Sequence, residues 1–228
     1  MEKNYSSVQE VKLVGGSLCL DFTNTVGGRR GSEVVQEKLN SYADLIAWSG
    51  HAGLLTDTEA RRLMRQAAQS PVEANEVLER AIALREALYR IFTAQVHNAA
   101  PKPADLALLN AELSNALARS EITVTEAGFT WDWSDQRNRL DRVLWPIVRS
   151  AADLLTSGDL DRVRECAGDA CGWLFVDTSK NHSRRWCDMS DCGNRAKARR
   201  HYARARAAPL SKRSFEYSSS RTESKRTR

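Results

Sequence analysis

Long apolar runs are missing from this chain of 228 residues. The first hydrophobic stretch, Val11 to Leu20, is interrupted by glycines and ended by Asp21. A helix that crosses a membrane needs about 20 consecutive apolar residues, so no span is expected. The opening Met1-Glu2-Lys3-Asn4 mixes charges and does not read as a secretory signal. Cysteine is scarce too: five residues are too few for the disulfide framework of a small secreted domain. A cytoplasmic protein follows as the expectation, and in a reducing compartment clustered cysteines hold metal. Signatures of catalysis are thin. None of His51, His97, His182 and His201 sits in a nucleophile motif. The stretch Gly27-Gly28-Arg29-Arg30-Gly31 lacks the lysine and the strand–helix setting of a phosphate loop.

Helical signals fill the first 160 residues. Asn40 or Ser41 is placed to cap a helix carrying Leu45, Ile46 and Trp48, with Gly50 as its stop. Thr56 and Glu59 form a capping box, in which each side chain satisfies the other's free backbone N–H. Ser70, Pro71 and Glu73 repeat that start before a long run in which Val77, Leu78, Ala81, Leu84, Leu88, Ile91 and Phe92 recur at helical spacing. Residues 103–118 read as one more helix. Around Glu126-Ala127-Gly128 the period changes to two, with Ile122, Val124, Phe129, Trp131 and Trp133 alternating as in a β-hairpin. Helical spacing then returns, and Pro146 is expected to kink that helix. Cys19, between Leu18 and Leu20, reads as a small core residue.

Charge divides the chain. Residues 1–160 carry 17 Lys and Arg against 21 Asp and Glu, whereas residues 161–228 carry 17 against 8. One sign gathered in one segment points to a polyanionic partner. The same segment holds four of the five cysteines, Cys166, Cys171, Cys187 and Cys192, spaced C-x4-C-x15-C-x4-C. Two close pairs bring four sulfurs to one ion, the arrangement of a structural Zn²⁺ site, although spacing alone also admits iron. Residues 173–177 read as a strand, 178–181 as a turn and 184–186 as the returning strand. Cys192 then falls at the start of a helix, which is the plan of a treble-clef finger. His182 lies in the expected turn and reads as exposed rather than ligating. The fold class is mainly α with small β: a helical domain over residues 1–160 with a β-hairpin, a treble-clef-like zinc finger over 161–207, and a disordered basic tail over 208–228. Without zinc, residues 161–206 should unfold while the helical domain persists.

These residues carry a resemblance. Cys192-Gly193-Asn194-Arg195, with the other three cysteines and the stretch Cys171 to His201, resembles the CGNR zinc-finger family. LCLDFTNT at 18–25 and LWPIVRSAADLL at 144–155 are similar to the ABATE domain that precedes such fingers. The resemblance covers about residues 11–206. It implies a stress-induced transcription regulator, with one structural zinc on the four cysteines and no established active-site residues in the N-terminal domain.

From Lys180 to Arg206 nine cations face only two acids, Asp188 and Asp191. Lys197, Arg200 and Arg204 share one face of the last helix, and Arg195 and Arg199 lie on a neighbouring face. With Arg184 and Arg185 they are the candidate contacts to double-stranded DNA. Arg195 is equally suited to neutralising the charge of a four-thiolate zinc site. In the N-terminal domain Asp21 and Asn24, flanked by glycines, join Arg85 and Arg149 as candidate contacts to a small-molecule effector, unless Asp21 or Asn24 simply caps a helix. A homodimer is compatible with the small contact area of one finger. Two other classes stay open: an RNA- or protein-binding adaptor whose zinc is a structural clip, and an enzyme using an N-terminal pocket. The finger itself lacks the H-x-E of a zinc deaminase and leaves no open position at the metal.

Overall fold

The longest amphipathic segment becomes the centre of the molecule. In the computed structural model, which describes residues 8–31, 36–133 and 138–207, this segment is helix α4, Pro71–Val96. Its Ala81, Leu84, Leu88 and Phe92 are fully buried. Around it lie α1 (Leu18–Thr23), α2 (Tyr42–His51), α3 (Asp57–Gln69), α5 (Pro103–Leu117) and α6 (Trp145–Leu155). Short α1 wedges against α4 and α6. Its Cys19, Leu20 and Phe22 have no exposed surface, and the Phe22 ring lies 5.2 Å from that of Trp48. Cys19 is therefore the core residue expected. The basic tail expected over 208–228 lies outside the described residues.

Local signals explain most helix starts. Ser41 caps α2 by accepting the Asp44 amide, and Thr56 with Glu59 forms the full capping box of α3. Two expectations need correction. Pro71 does open α4, but the Ser70 side chain makes no cap bond. Ser70 joins two helices at once: its amide donates to Gln66 at the end of α3, and its carbonyl accepts from Ala74 in α4. Its ψ of 65° departs from the extended geometry that aims a cap hydroxyl at the next turn. Pro146 produces no kink. A 3-10 turn over Leu140–Leu144 ends just before it, and α6 begins at Trp145. Pro146 thus sits in the first turn, where an amide would have no helical partner.

Among the described residues, three two-stranded antiparallel ladders complete the fold. The smallest pairs β1 (Val26–Gly27) with β2 (Gln36–Glu37). The expected hairpin is β3 (Glu121–Thr125) with β4 (Gly128–Asp132), placing Ile122 opposite Trp131 and Val124 opposite Phe129. The third joins β5 (Val163–Glu165) to β6 (Leu174–Val176). The partner of β6 differs from the expected returning strand over 184–186, which does not form. Asp177 accepts from the Ser179 amide and hydroxyl and from the Arg184 amide, holding residues 178–184 in a side-chain-braced loop.

The outer edge of β6 is filled from the N-terminal domain. The Asn24 amide donates to the Leu174 carbonyl at 2.9 Å and accepts the Leu174 amide at 2.9 Å, as a strand residue would. The Val176 amide donates to the Gly15 carbonyl at 2.8 Å. Gly15 is held in turn by Asp21, whose carboxylate accepts the Gly15 amide at 2.7 Å. A Cβ on Gly15 would lie 2.8 Å from the Asp21 amide nitrogen, so this approach requires glycine. Burial pushes the Asp21 carboxyl up to about 6 despite bonds from the Gly15 and Val14 amides. Val163, Leu174 and Val176 join the same hydrophobic core as α1 and α4. The two parts of the chain share one interior.

Asn24→Ala leaves the Leu174 amide and carbonyl buried without partners. It should cost about 2–4 kcal/mol of unfolding free energy, measured by urea titration of the zinc-loaded protein. A loss within about 0.5 kcal/mol, the range of ordinary surface substitutions, would show that this clamp does not hold the finger.

Candidate metal centre and basic helix

The four cysteines sit at four points along the finger. Cys166 follows β5, Cys171 closes the loop that leads into β6, and Cys187 follows the Asp177-braced loop. Cys192 lies in a π-helical turn, Met189–Gly193, that runs directly into α7 (Asn194–Ala207). Their sulfurs all lie within 4.8 Å of one another. Cys171 Sγ is 3.6 Å from Cys187 Sγ, which is 3.8 Å from Cys192 Sγ. Four sulfurs about 2.3 Å from one tetrahedral ion lie about 3.8 Å apart, so the cluster has the dimensions of a Zn²⁺ site.

Backbone and packing support the same reading. The Gly168 and Cys187 amides point at Cys166 Sγ from 3.4 and 3.3 Å, donors that favour a thiolate. At Gly168 a Cβ would come within 3.1 Å of Cys171 Cβ and 3.2 Å of Cys192 Sγ, so the loop passes close to the sulfur cluster. Cys166, Cys187 and Cys192 are buried with Phe175 in a small second core, and Cys171 is half-buried. Without metal the sulfurs cannot all ionise. Bonds from the Cys171 and Cys187 thiols favour the Cys166 thiolate, and bonding to Cys166 pushes the Cys171 thiol up. Held by Cys166, Cys171, Cys187 and Cys192, a zinc ion would take the place of those protons with no coordination position left over, a structural rather than catalytic role. His182 is exposed, with its ring nitrogen 3.4 Å from the Asp177 carbonyl, outside the cluster.

The candidate nucleic-acid residues separate into two groups. Arg184 is internal: it bonds the carbonyls of Trp186, Val14 and Cys187 and lies 4.2 Å over the Phe175 ring. Arg195 pairs with Asp191 and reaches Cys192 Sγ at 3.5 Å, the neutralising position. Arg199 pairs with Asp169 at 3.0 Å. By contrast, Lys197, Arg200 and Arg204 are exposed, and among the described residues no acid pairs with them. Arg185 is exposed near the Trp186 ring. Nearly all of α7 is exposed; only Ala196 is half-covered among its described side chains.

The four candidate effector contacts have separate internal partners. Asp21 holds Gly15 and Asn24 holds Leu174. Arg85 is buried in a two-pronged pair with Glu37, at 2.6 and 2.7 Å, and also bonds Glu86. Arg149 pairs with Asp153 and lies 4.3 Å over the Trp131 ring. None of the four lines the cavity of about 590 Å³ between the Gly27–Gly31 loop and the zinc loops. That cavity is bordered by Trp173, Cys171, Asp188, Arg195 and Arg199. Sequence reasoning missed Gly15, Trp173 and Glu165 as contacts between the domains. The Trp173 indole donates to the Val26 carbonyl, and Glu165 receives Arg30, Tyr89 and His97. The glycine pair at 15–16 was the available signal, but not its partner.

Comparison with known families agrees with this geometry. The ABATE family, described as "Putative stress-induced transcription regulator", matches residues 16–158. The CGNR zinc finger matches residues 162–205. No curated protein matches the chain.

The purified protein should contain one zinc per chain, and Cys187→Ser should lose it in elemental analysis. Because Val163, Leu174 and Val176 lie in the main core, chelation should lower the melting temperature of the helical domain as well as unfold the finger. An unchanged helical transition after complete zinc removal would restore the picture of two independent domains.

Proposed function

Since this chain belongs to the ABATE family and carries a CGNR zinc finger, we propose that it is a DNA-binding transcription regulator that lays α7 against a duplex. The observation that carries this reading is the state of α7. A zinc ligand fixes its first turn, its sides are exposed, and Lys197, Arg200 and Arg204 lie along one face without acidic partners among the described residues. Phosphate oxygens are the natural counter-charges for such a row. Arg185 and Arg206 are further exposed cations off that row, whereas Arg184 supports the finger from inside. Arg195 and Arg199 border the zinc site and take a phosphate only by leaving Asp191 and Asp169. The closed zinc site and the two families support a regulator over an enzyme. Among the described residues no helix is long and apolar enough to cross a membrane.

Each cation on a phosphate releases nearly one counterion, giving a log–log salt slope of about −0.9 per contact. Three contacts predict about −2.7, and Arg200→Ala should flatten the slope by about 0.9 while weakening all sequences alike. Arg184→Ala should lower stability instead. Parallel titrations on duplex DNA and on RNA are the test. Equal and shallow slopes for wild type and Arg200→Ala would overturn the reading, and steeper binding to RNA would favour the adaptor.

Any small-molecule response belongs to the cavity beside the zinc site. Its lining includes the zinc ligands Cys171, Cys187 and Cys192, and Arg195 and Arg199 connect it to the first turns of α7. A ligand there should raise the melting temperature and change duplex affinity by about 1–3 kcal/mol. A broad metabolite screen without a thermal shift would remove the sensor role.

A further inference from the structure

The β3–β4 hairpin is amphipathic in the wrong direction for a monomer. Its register brings Ile122, Val124, Phe129 and Trp131 onto one face, in the cross-strand pairs Ile122–Trp131 and Val124–Phe129. They are 63, 75, 81 and 40% exposed. From the opposite, polar face, Thr123 and Asp132 are half-covered. An isolated two-stranded hairpin is marginal in water, and sheets turn their apolar face inward. Here Arg149 lies over the Trp131 ring, and among the described residues Ile122, Val124 and Phe129 of that face remain exposed. Taking aromatic side chains at about 150–250 Å² each, the four expose roughly 500 Å² of largely apolar surface, at the upper end for a monomer.

We infer that this face is the centre of a homodimer interface, covered by the same hairpin of a second copy of the chain. Self-complementarity favours that occupant. The aliphatic pair lies on β3 and the aromatic pair on β4. A two-fold axis along the hairpin, between the stacked faces, sets the β3 of one copy over the β4 of the other. Ile122 then meets Trp131 of the other copy and Val124 meets its Phe129, so every aliphatic side chain is covered by a ring. Such an isologous contact closes on itself and leaves no apolar patch to propagate. A stable interface needs about 800 Å² per partner, so these side chains supply its core and the neighbouring polar residues its rim. Arg149, stacked on Trp131 and paired with Asp153, is placed at that rim. Glu121, Glu126 and Asp132 along the hairpin disfavour an anionic lipid surface.

The test is sedimentation equilibrium of the full zinc-loaded chain without DNA, together with the Phe129→Ser and Val124→Thr variants. Wild type should approach twice the chain mass of 25.5 kDa at high micromolar concentration. Phe129→Ser should weaken dimerisation by about 30- to 100-fold. Val124→Thr should weaken it less. Both positions are exposed, so the monomers should melt within a few degrees of one another. A wild type that stays monomeric overturns the inference, and so does a dimer that Phe129→Ser leaves intact. A monomer that binds anionic vesicles through this face would assign it to a membrane. A monomer that dimerises only after deletion of residues 208–228 would assign it to the chain's own tail. Either result overturns the second copy as the occupant.

Discussion

A β-strand has two edges, and the outer edge of β6 cannot be left buried and unpaired. In this chain β5 fills one edge, while Asn24 and Gly15 fill the other. That requirement orders much of the molecule. It brings the glycine pair at 15–16 against the finger, and the Val176 side chain lies 3.5 Å from where a Cβ on Gly16 would sit. It places a carboxylate at Asp21 to hold the Gly15 amide, at the cost of a buried acid. It also frees residues 178–186 from pairing with β6, so that they bring Cys187 back to the other three sulfurs. Arg184 secures that return through three carbonyls.

The cations are divided according to the same construction. Arg30 and Arg184 join the finger to the helical domain, to Glu165 and to backbone carbonyls respectively. Arg195 offsets the thiolate charge, and Arg199 is pinned to Asp169 on a zinc loop. Only beyond these does α7 offer cations without acids beside them. The zinc site therefore does two physical jobs: it closes a small second core around Phe175, and it fixes the start of an otherwise exposed helix. A short helix of this composition, with no apolar face to bury, depends on such an anchor.

Features written within a few residues were legible. The cysteine spacing, the Thr56–Glu59 box, the core face of α4 and the presence of the β3–β4 hairpin all follow from local pattern. Pro146 was misread because helical spacing runs across it, while the chain changes from a 3-10 turn to α6 just ahead of it. Ser70 was misread because two helices share it. The partner of β6 was hidden for a different reason: 150 residues separate Asn24 from Leu174. Composition shows that a buried asparagine needs partners, but not that its amide will imitate a strand. The arginines looked alike in sequence, and only their neighbours distinguish Arg184 from Arg200.

The central claim is that the finger and the helical domain form one cooperative unit joined at β6. Native-state hydrogen exchange of the zinc-loaded protein reads it directly, through the Leu174 and Val176 amides that point at Asn24 and Gly15. In a single unit these amides open with the same free energy as Leu88 in the core of α4, well above the exposed turns of α7. If they exchanged as fast as the α7 amides while Leu88 stayed protected, the finger would open by itself and the claim would fail.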